Sequence, residues 1–111
     1  MSAMQSPGLI VLYRWRLAPG CETEFTDSWR GATEALLERG SLGSRLHRGN
    51  DGIWYGYAQW LDADTRTAAF ADTPVDALFS VRMHACIVES MPEIRLTPVA
   101  DLLRLAHNAA S

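Results

Sequence analysis

The sequence predicts an α+β domain of the ferredoxin-like, split βαβ type, with elements in the order β-α-β-β-α-β and the second helix divided in two. Three observations predict it. Residues 8–17, "GLIVLYRWRL", form a strand pattern with apolar side chains on both faces. Residues 22–39 repeat apolar side chains at helical spacing, with Phe25, Trp29, Ala32 and Leu36 in one narrow stripe. The run "GNDG" from Gly49 to Gly52 then separates two further stretches of strand character, as a hairpin turn does. In this pattern strands 1 and 3 occupy the middle of a four-stranded antiparallel sheet, and the helices cover one face.

Each element has its own warrant. The first strand sets Leu9, Val11, Tyr13, Trp15 and Leu17 on one face and Ile10, Leu12, Arg14 and Arg16 on the other; Pro19-Gly20 ends it. In the first helix Glu22 and Glu24 sit in the first turn and Arg39 in the last, which suits the helix dipole, and Gly40 stops it. Gly31 lies away from the apolar stripe and reads as a mild cost to helix stability. Residues 42–48, "LGSRLHR", are a short polar strand suited to a sheet edge. The next strand, in "GIWYGYAQW" (52–60), has Gly56, Ala58 and Trp60 on one face and Tyr55 and Tyr57 on the other. Asp62 is placed to cap a short helix running through Phe70. Thr73 is placed to cap a second segment, with Pro74 in its first turn and Asp76 completing a capping box. A helical wheel there groups Val75, Leu78, Phe79, Met83 and Cys86 inward, with Arg82 among them, and turns His84 outward. Pro92 breaks the chain, and "EIRLTPVADLLRL" (93–105) reads as the last strand, its Pro98 suited to an edge. The domain is expected to span residues 8–104 between flexible termini, 1–7 and 105–111.

With 111 residues, 48% of them hydrophobic and 21% charged, the chain is long enough for one core and one domain. The net charge of −3 with interspersed signs provides no footprint for nucleic acid or an anionic membrane, and no apolar run is long enough to span a bilayer. The start, "MSAMQSPG", lacks the basic and apolar regions of a secretory signal, so a cytoplasmic location is expected. Cys21 and Cys86 stand far apart with no ligand cluster beside them, so neither a disulfide nor a metal site is expected. There is no Gly-rich phosphate loop, zinc-type spacing or Ser-His-Asp set. On the sheet face away from the helices, Tyr55 and Tyr57 lie beside Ile10 and Leu12, an apolar patch with no helix to cover it. A second copy of the same face is the simplest cover, which predicts a homodimer.

The stretches "VLYRWRLAPGCETEFTDSW", "GSLGSRLHRGNDGIWYGYAQW" and "TRTAAF" resemble the antibiotic biosynthesis monooxygenase-like (ABM) domains of the dimeric α/β-barrel superfamily, over nearly the whole chain. The resemblance implies two sheets facing each other in a dimer, with each subunit's pocket between its own sheet and helices. It implies oxidation of an aromatic or quinol-like small molecule by O₂ with no metal, flavin or other cofactor. In that chemistry the deprotonated substrate is the electron donor, and the protein supplies a dry pocket and groups that stabilise the anion. A haem-degrading branch of the superfamily carries an asparagine where Tyr13 stands and a histidine near Phe70-Ala71, so the resemblance implies no haem here.

The same resemblance carries Trp60 onto the tryptophan that ends the third strand. Tyr13, Trp15, Trp29 and Trp60 then line the helix-side space, as pocket walls or as packed core, and Tyr13 is able to hold or relay a proton. Arg82 either receives substrate negative charge or reaches the rim to pair with a carboxylate such as Glu89 or Glu93. Arg45 and His47 share a strand face, as substrate-binding groups or as part of a polar dimer rim. Two functions stand side by side. One is a cofactor-independent monooxygenase in which Tyr13, Trp60 and Arg82 are catalytic and Trp15, Trp29, Arg45 and His47 bind substrate. The other is a non-catalytic dimeric domain that binds a small apolar ligand or is purely structural. Free volume between helices and sheet discriminates between packed core and pocket.

Overall fold

The computed structural model describes residues 6–71 and 77–104, with backbone alone for Ala77 and Leu78. Strands β1 (Leu9–Leu17), β2 (Ser41–Arg48), β3 (Trp54–Trp60) and β4 (Ile87–Leu96) build an antiparallel sheet in the order β2-β3-β1-β4. Helices α1 (Glu22–Leu37), α2 (Ala63–Ala71) and α3 (Ala77–Cys86) pack on one face, giving the ferredoxin-like arrangement that the periodicities predict. The most apolar strand, β1, lies in the interior of the sheet, and its inward-facing Val11 and Trp15 are buried.

The inward residues of β1 and β3 divide the core in two. Val11, Ala58 and Trp60 pack with Ala69 of α2, while Trp15 packs with Phe25 of α1 and Cys86 of α3. The hairpin between β2 and β3 is held by Asp51, whose carboxylate accepts from the Ile53 amide at 2.9 Å and from the Tyr55 hydroxyl at 2.6 Å. Those two bonds hold the Asp51 carboxyl below the usual range, the tyrosine contact first. Asp62 caps α2 as expected, accepting from the Thr65 amide at 2.7 Å. Arg39 lies just beyond α1 and donates to the Ala69 carbonyl at 2.9 Å, tying the ends of α1 and α2 together.

The last third of the chain departs from expectation. The final strand is Ile87–Leu96, directly after α3, and not 93–105. Pro92 sits inside it. An edge strand tolerates the missing amide, and between Arg14↔Met91 and Leu12↔Ile94 the register shifts so that Pro92 and Glu93 stand opposite Tyr13. After Leu96 the chain leaves the sheet, and residues 97–103 run back over its outer face beside Pro7, Ile10 and Tyr57. Ile10, on the wall of the hollow between them, is 5% exposed. The expected capping box at Thr73, Pro74 and Asp76, the inward Val75 and the Leu78 side chain lie outside the described residues. Gly31 also reads differently. A Cβ there would fall 2.4 Å from the Phe79 ring, so glycine is what lets α3 approach α1.

Candidate functional site

A cavity of about 410 Å³ lies between the sheet and the helices, within the range of small-molecule sites. Its floor is Tyr13 and Trp15 of β1 with Gly56, Ala58 and Trp60 of β3. Its roof is Trp29, Ala32, Thr33 and Leu36 of α1. Arg14 of β1, Ser44 of β2, Phe70 of α2, Ser80, Met83 and His84 of α3, and Ile87, Ser90, Met91 and Glu93 of β4 complete the walls. The stripe of α1 thus faces an open space for much of its length, and the large aromatics leave room of ligand size.

On the floor Tyr13 and Trp15, two apart on one strand face, stack with ring centroids 5.5 Å apart and planes within 4°. Gly56, directly across from Tyr13, makes this possible: a Cβ there would meet the Trp15 ring at 2.9 Å. The room over Gly56 is taken by a tryptophan of the same chain and by neither a ligand nor a helix. Trp15 is fixed from its other side by Phe25, edge-on at 5.1 Å. Trp60 is 1% exposed, and among the described residues its buried indole Nε1 has no hydrogen-bond partner. A buried donor without an acceptor carries a desolvation cost.

Beside the floor lies a charged network. Arg66 of α2 grips Glu93 with both nitrogens, at 3.0 and 3.1 Å, and donates from Nη2 to the Tyr13 hydroxyl oxygen at 3.0 Å. Its guanidinium also lies 5.7 Å from the Phe70 ring centre and 5.9 Å from that of Tyr13. Burial opposes charge on Arg66, but the bonds to Glu93 and Tyr13 outweigh it and hold the guanidinium more firmly protonated than usual. Burial likewise opposes the Glu93 charge, and the bonds from Arg66 and Arg95 outweigh that and hold its carboxyl below the usual range. Since Arg66 occupies the Tyr13 oxygen as a donor, the phenol's own proton is left to point elsewhere.

At α3 the His84 Nδ1 lies 2.8 Å from the Ser80 carbonyl. A carbonyl only accepts, so we assign the ring hydrogen to Nδ1, which leaves Nε2 with a free lone pair in the neutral ring. His84 is exposed and walls the cavity, contrary to the outward placement expected of it.

Tyr13, Trp15, Trp29 and Trp60 are brought together by the fold. Arg82 is not among them. The inner face of α3 runs through Phe79, Met83 and Cys86, and Arg82 lies on an exposed flank, 3.8 Å from Glu24 of α1. Arg45 and His47 stand on the opposite side of the sheet from the cavity, because Leu46 between them packs inward; they wall a shallow outer hollow with Tyr57, Gln59 and Leu103. Arg66 and Glu93 escaped sequence reasoning as a pair, being on a helix and a strand joined only by the fold. Among the described residues no three His, Cys, Asp or Glu side chains come together as metal ligands would.

No family model and no curated protein matches the chain. Solved structures do. SnoaB, a cofactor-independent oxygenase from Streptomyces nogalater, superposes with a TM-score of 0.73 at 19% identity, over 89% of this chain and all of that one. A candidate antibiotic biosynthesis monooxygenase from Bordetella bronchiseptica gives 0.73 at 17% identity over 86% of this chain and 100% of its own. Another from Caulobacter crescentus gives 0.70 at 16%, over 85% and 92%. The chain therefore has the ABM-like fold that the sequence resemblance implied.

Proposed function

We propose that this protein is a cofactor-independent monooxygenase that oxidises an aromatic or quinol-like small molecule with O₂. The observation that carries the reading is the chemistry of the cavity: aromatic walls beside the Tyr13 hydroxyl, whose oxygen is already held by Arg66. That donor matches a substrate oxygen that gains negative charge. His84 Nε2 is the proton acceptor, and loss of a proton from an activated ring carbon or hydroxyl leaves an anion rich enough in electrons to reduce O₂. For a methylene carbon between two rings, one oxygen atom becomes the new carbonyl. The other leaves as water with the two hydrogens lost, so atoms and electrons balance. Trp15 and Trp29 hold the rings in the plane of reaction and keep water out. Arg82, exposed and facing Glu24, has no part in this reading.

The working unit in this proposal is a cytoplasmic homodimer formed through the outer sheet face, where Arg45 and His47 belong to the rim. Support comes from the apolar surface still exposed there, Ile94 and Leu96 of β4 with Leu102 and Leu103 beyond it.

The test is oxygen uptake by chelator-treated protein against a panel of anthrones, naphthols and quinols, with ¹⁸O₂ to follow the atoms. The expected result is uptake that the protein accelerates, one labelled oxygen in the product, and a loss of at least about tenfold in kcat for Tyr13→Phe. Compounds that quench tryptophan fluorescence at micromolar concentration yet show no accelerated uptake would instead make this a ligand-binding domain.

A further inference from the structure

We propose that Cys21 and Cys86 form a redox-modifiable dithiol that closes into an intramolecular disulfide when it meets a peroxide. They are the only two cysteines of the chain, separated along it but joined by the fold. Cys21 is the residue that precedes α1, half-buried, and its side chain makes no capping bond; Cys86 is the last residue of α3 and 2% exposed. Both belong to the cluster built on Trp15 and Phe25. The backbone holds them in place: the Ala18 amide donates to the Cys86 carbonyl at 2.9 Å, and the Cys21 amide donates to the Ala18 carbonyl at 3.1 Å. Burial first, then a hydrogen bond with the Cys21 thiol and the charges of Glu24 and Glu22, push the Cys86 thiol up to about 11. Cys86 thus stays protonated at neutral pH, and the more accessible Cys21 is the sulfur that meets an oxidant.

The chemistry follows from that asymmetry. The Cys21 thiolate attacks one peroxide oxygen, the O–O bond breaks, and Cys21 becomes a sulfenic acid as hydroxide leaves. The Cys86 sulfur then attacks the Cys21 sulfur and gives up its proton, and the departing hydroxide leaves as water. With hydrogen peroxide the sum is two thiols and one peroxide in, one disulfide and two waters out. The bond straps the start of α1 to the end of α3, the two helices that carry Trp29 and Met83 on the cavity wall. This inference stands whether or not the cavity is an oxygenase site.

The experiment treats the purified full chain with hydrogen peroxide, then reads thiols in denaturant and the intact mass. The expected result is loss of both thiols together, a mass lower by about 2 Da, and full reversal by dithiothreitol. The oxidised chain should also melt at least about 5 °C higher, because the bridge closes a long loop. Cys21→Ser and Cys86→Ser proteins should show no such mass loss. Two titratable thiols after treatment would overturn the proposal. So would oxygen added to one cysteine without loss of the other, or a bridge between two chains.

Discussion

Tyr13 works, in this structure, through residues that no local pattern connects to it. Arg66 reaches it across 53 positions of chain, and Glu93 holds Arg66 from the strand bulge opposite Tyr13. Replacing Tyr13 with Phe removes one partly buried hydrogen bond, worth about 1 kcal/mol of stability. If the hydroxyl meets charge on the substrate, kcat falls at least about tenfold, well beyond what that loss of stability explains. Urea unfolding and steady-state rates on one preparation separate the two, and equal small losses would return Tyr13 to the core. Glu93 supplies a pH test. Its carboxyl titrates lower in the folded chain than in the unfolded one, so between the two values the unfolded chain binds more protons and stability rises with pH. The contribution is complete above about 4.5, the ordinary value, and is lost as pH falls through the lower folded value. Glu93→Gln should therefore cost about 1–2 kcal/mol at pH 7 by breaking a partly buried charged pair, and progressively less as the solution is acidified. A deficit that stays constant from pH 7 to the acid limb would show that the Arg66 grip does not depend on charge. Gly56→Ala probes the Tyr13–Trp15 stack: its methyl group would press on the Trp15 ring, tilt the stack and weaken binding of aromatic ligands several-fold, measured by tryptophan quenching.

At the scale of elements, the close approach of α1 and α3 through Gly31 leads to a prediction opposite to helix propensity. On propensity alone Gly31→Ala stabilises a helix by about 1 kcal/mol. Against that, the new methyl would overlap the Phe79 ring and push α3 outward, so we expect a net loss of about 1–3 kcal/mol in chemical unfolding. Gly31→Ala combined with Phe79→Leu should recover part of it. The first five elements were legible because their signals are local: short apolar and aromatic runs bounded by turn residues in β1 and β3, one stripe in α1, Asp51 and Gly52 at the hairpin, Asp62 before α2. The end of α3 and the start of β4 were not, because nothing in "HACIVES" marks where a helix becomes a strand. Pro92 then looked like a stop when the sheet edge and its bulge accommodate it. The aromatic half of the site was legible because strand parity puts Tyr13 with Trp15 on one face and the family resemblance turns that face, with Trp60, toward the helices. The polar half, Arg66 with Glu93 and His84, was not, because a charged residue on a short helix reads as solvated until the fold brings its partner to it. Arg82 illustrates the reverse error, a wheel drawn without knowing which flank α1 would cover.

For the whole molecule the unsettled balance is on the outer sheet face. The C-terminal stretch lines a hollow with Ile10 on this face, and it leaves Val99, Leu102 and Leu103 at 96, 94 and 77% exposure and Leu96 at 42%. A segment that presents Val99, Leu102 and Leu103 to water gains little for an isolated chain. It gains more if those side chains meet a second sheet, since the same stretch then seals its own strand and contributes to the contact. The homodimer we propose through this face therefore needs the C-terminal stretch as well as the sheet. Sedimentation equilibrium at micromolar concentration should give twice the 12.3 kDa chain mass. Leu102→Glu with Leu103→Glu should shift the protein to monomer, because two charges would have to be buried without partners. The cavity lies on the other side of the sheet, so the monomeric variant should keep its helical circular dichroism and its quenching by flat aromatic probes. A wild-type chain that sediments as a monomer throughout would remove the dimer. A double variant that remains dimeric would place the contact elsewhere on the molecule.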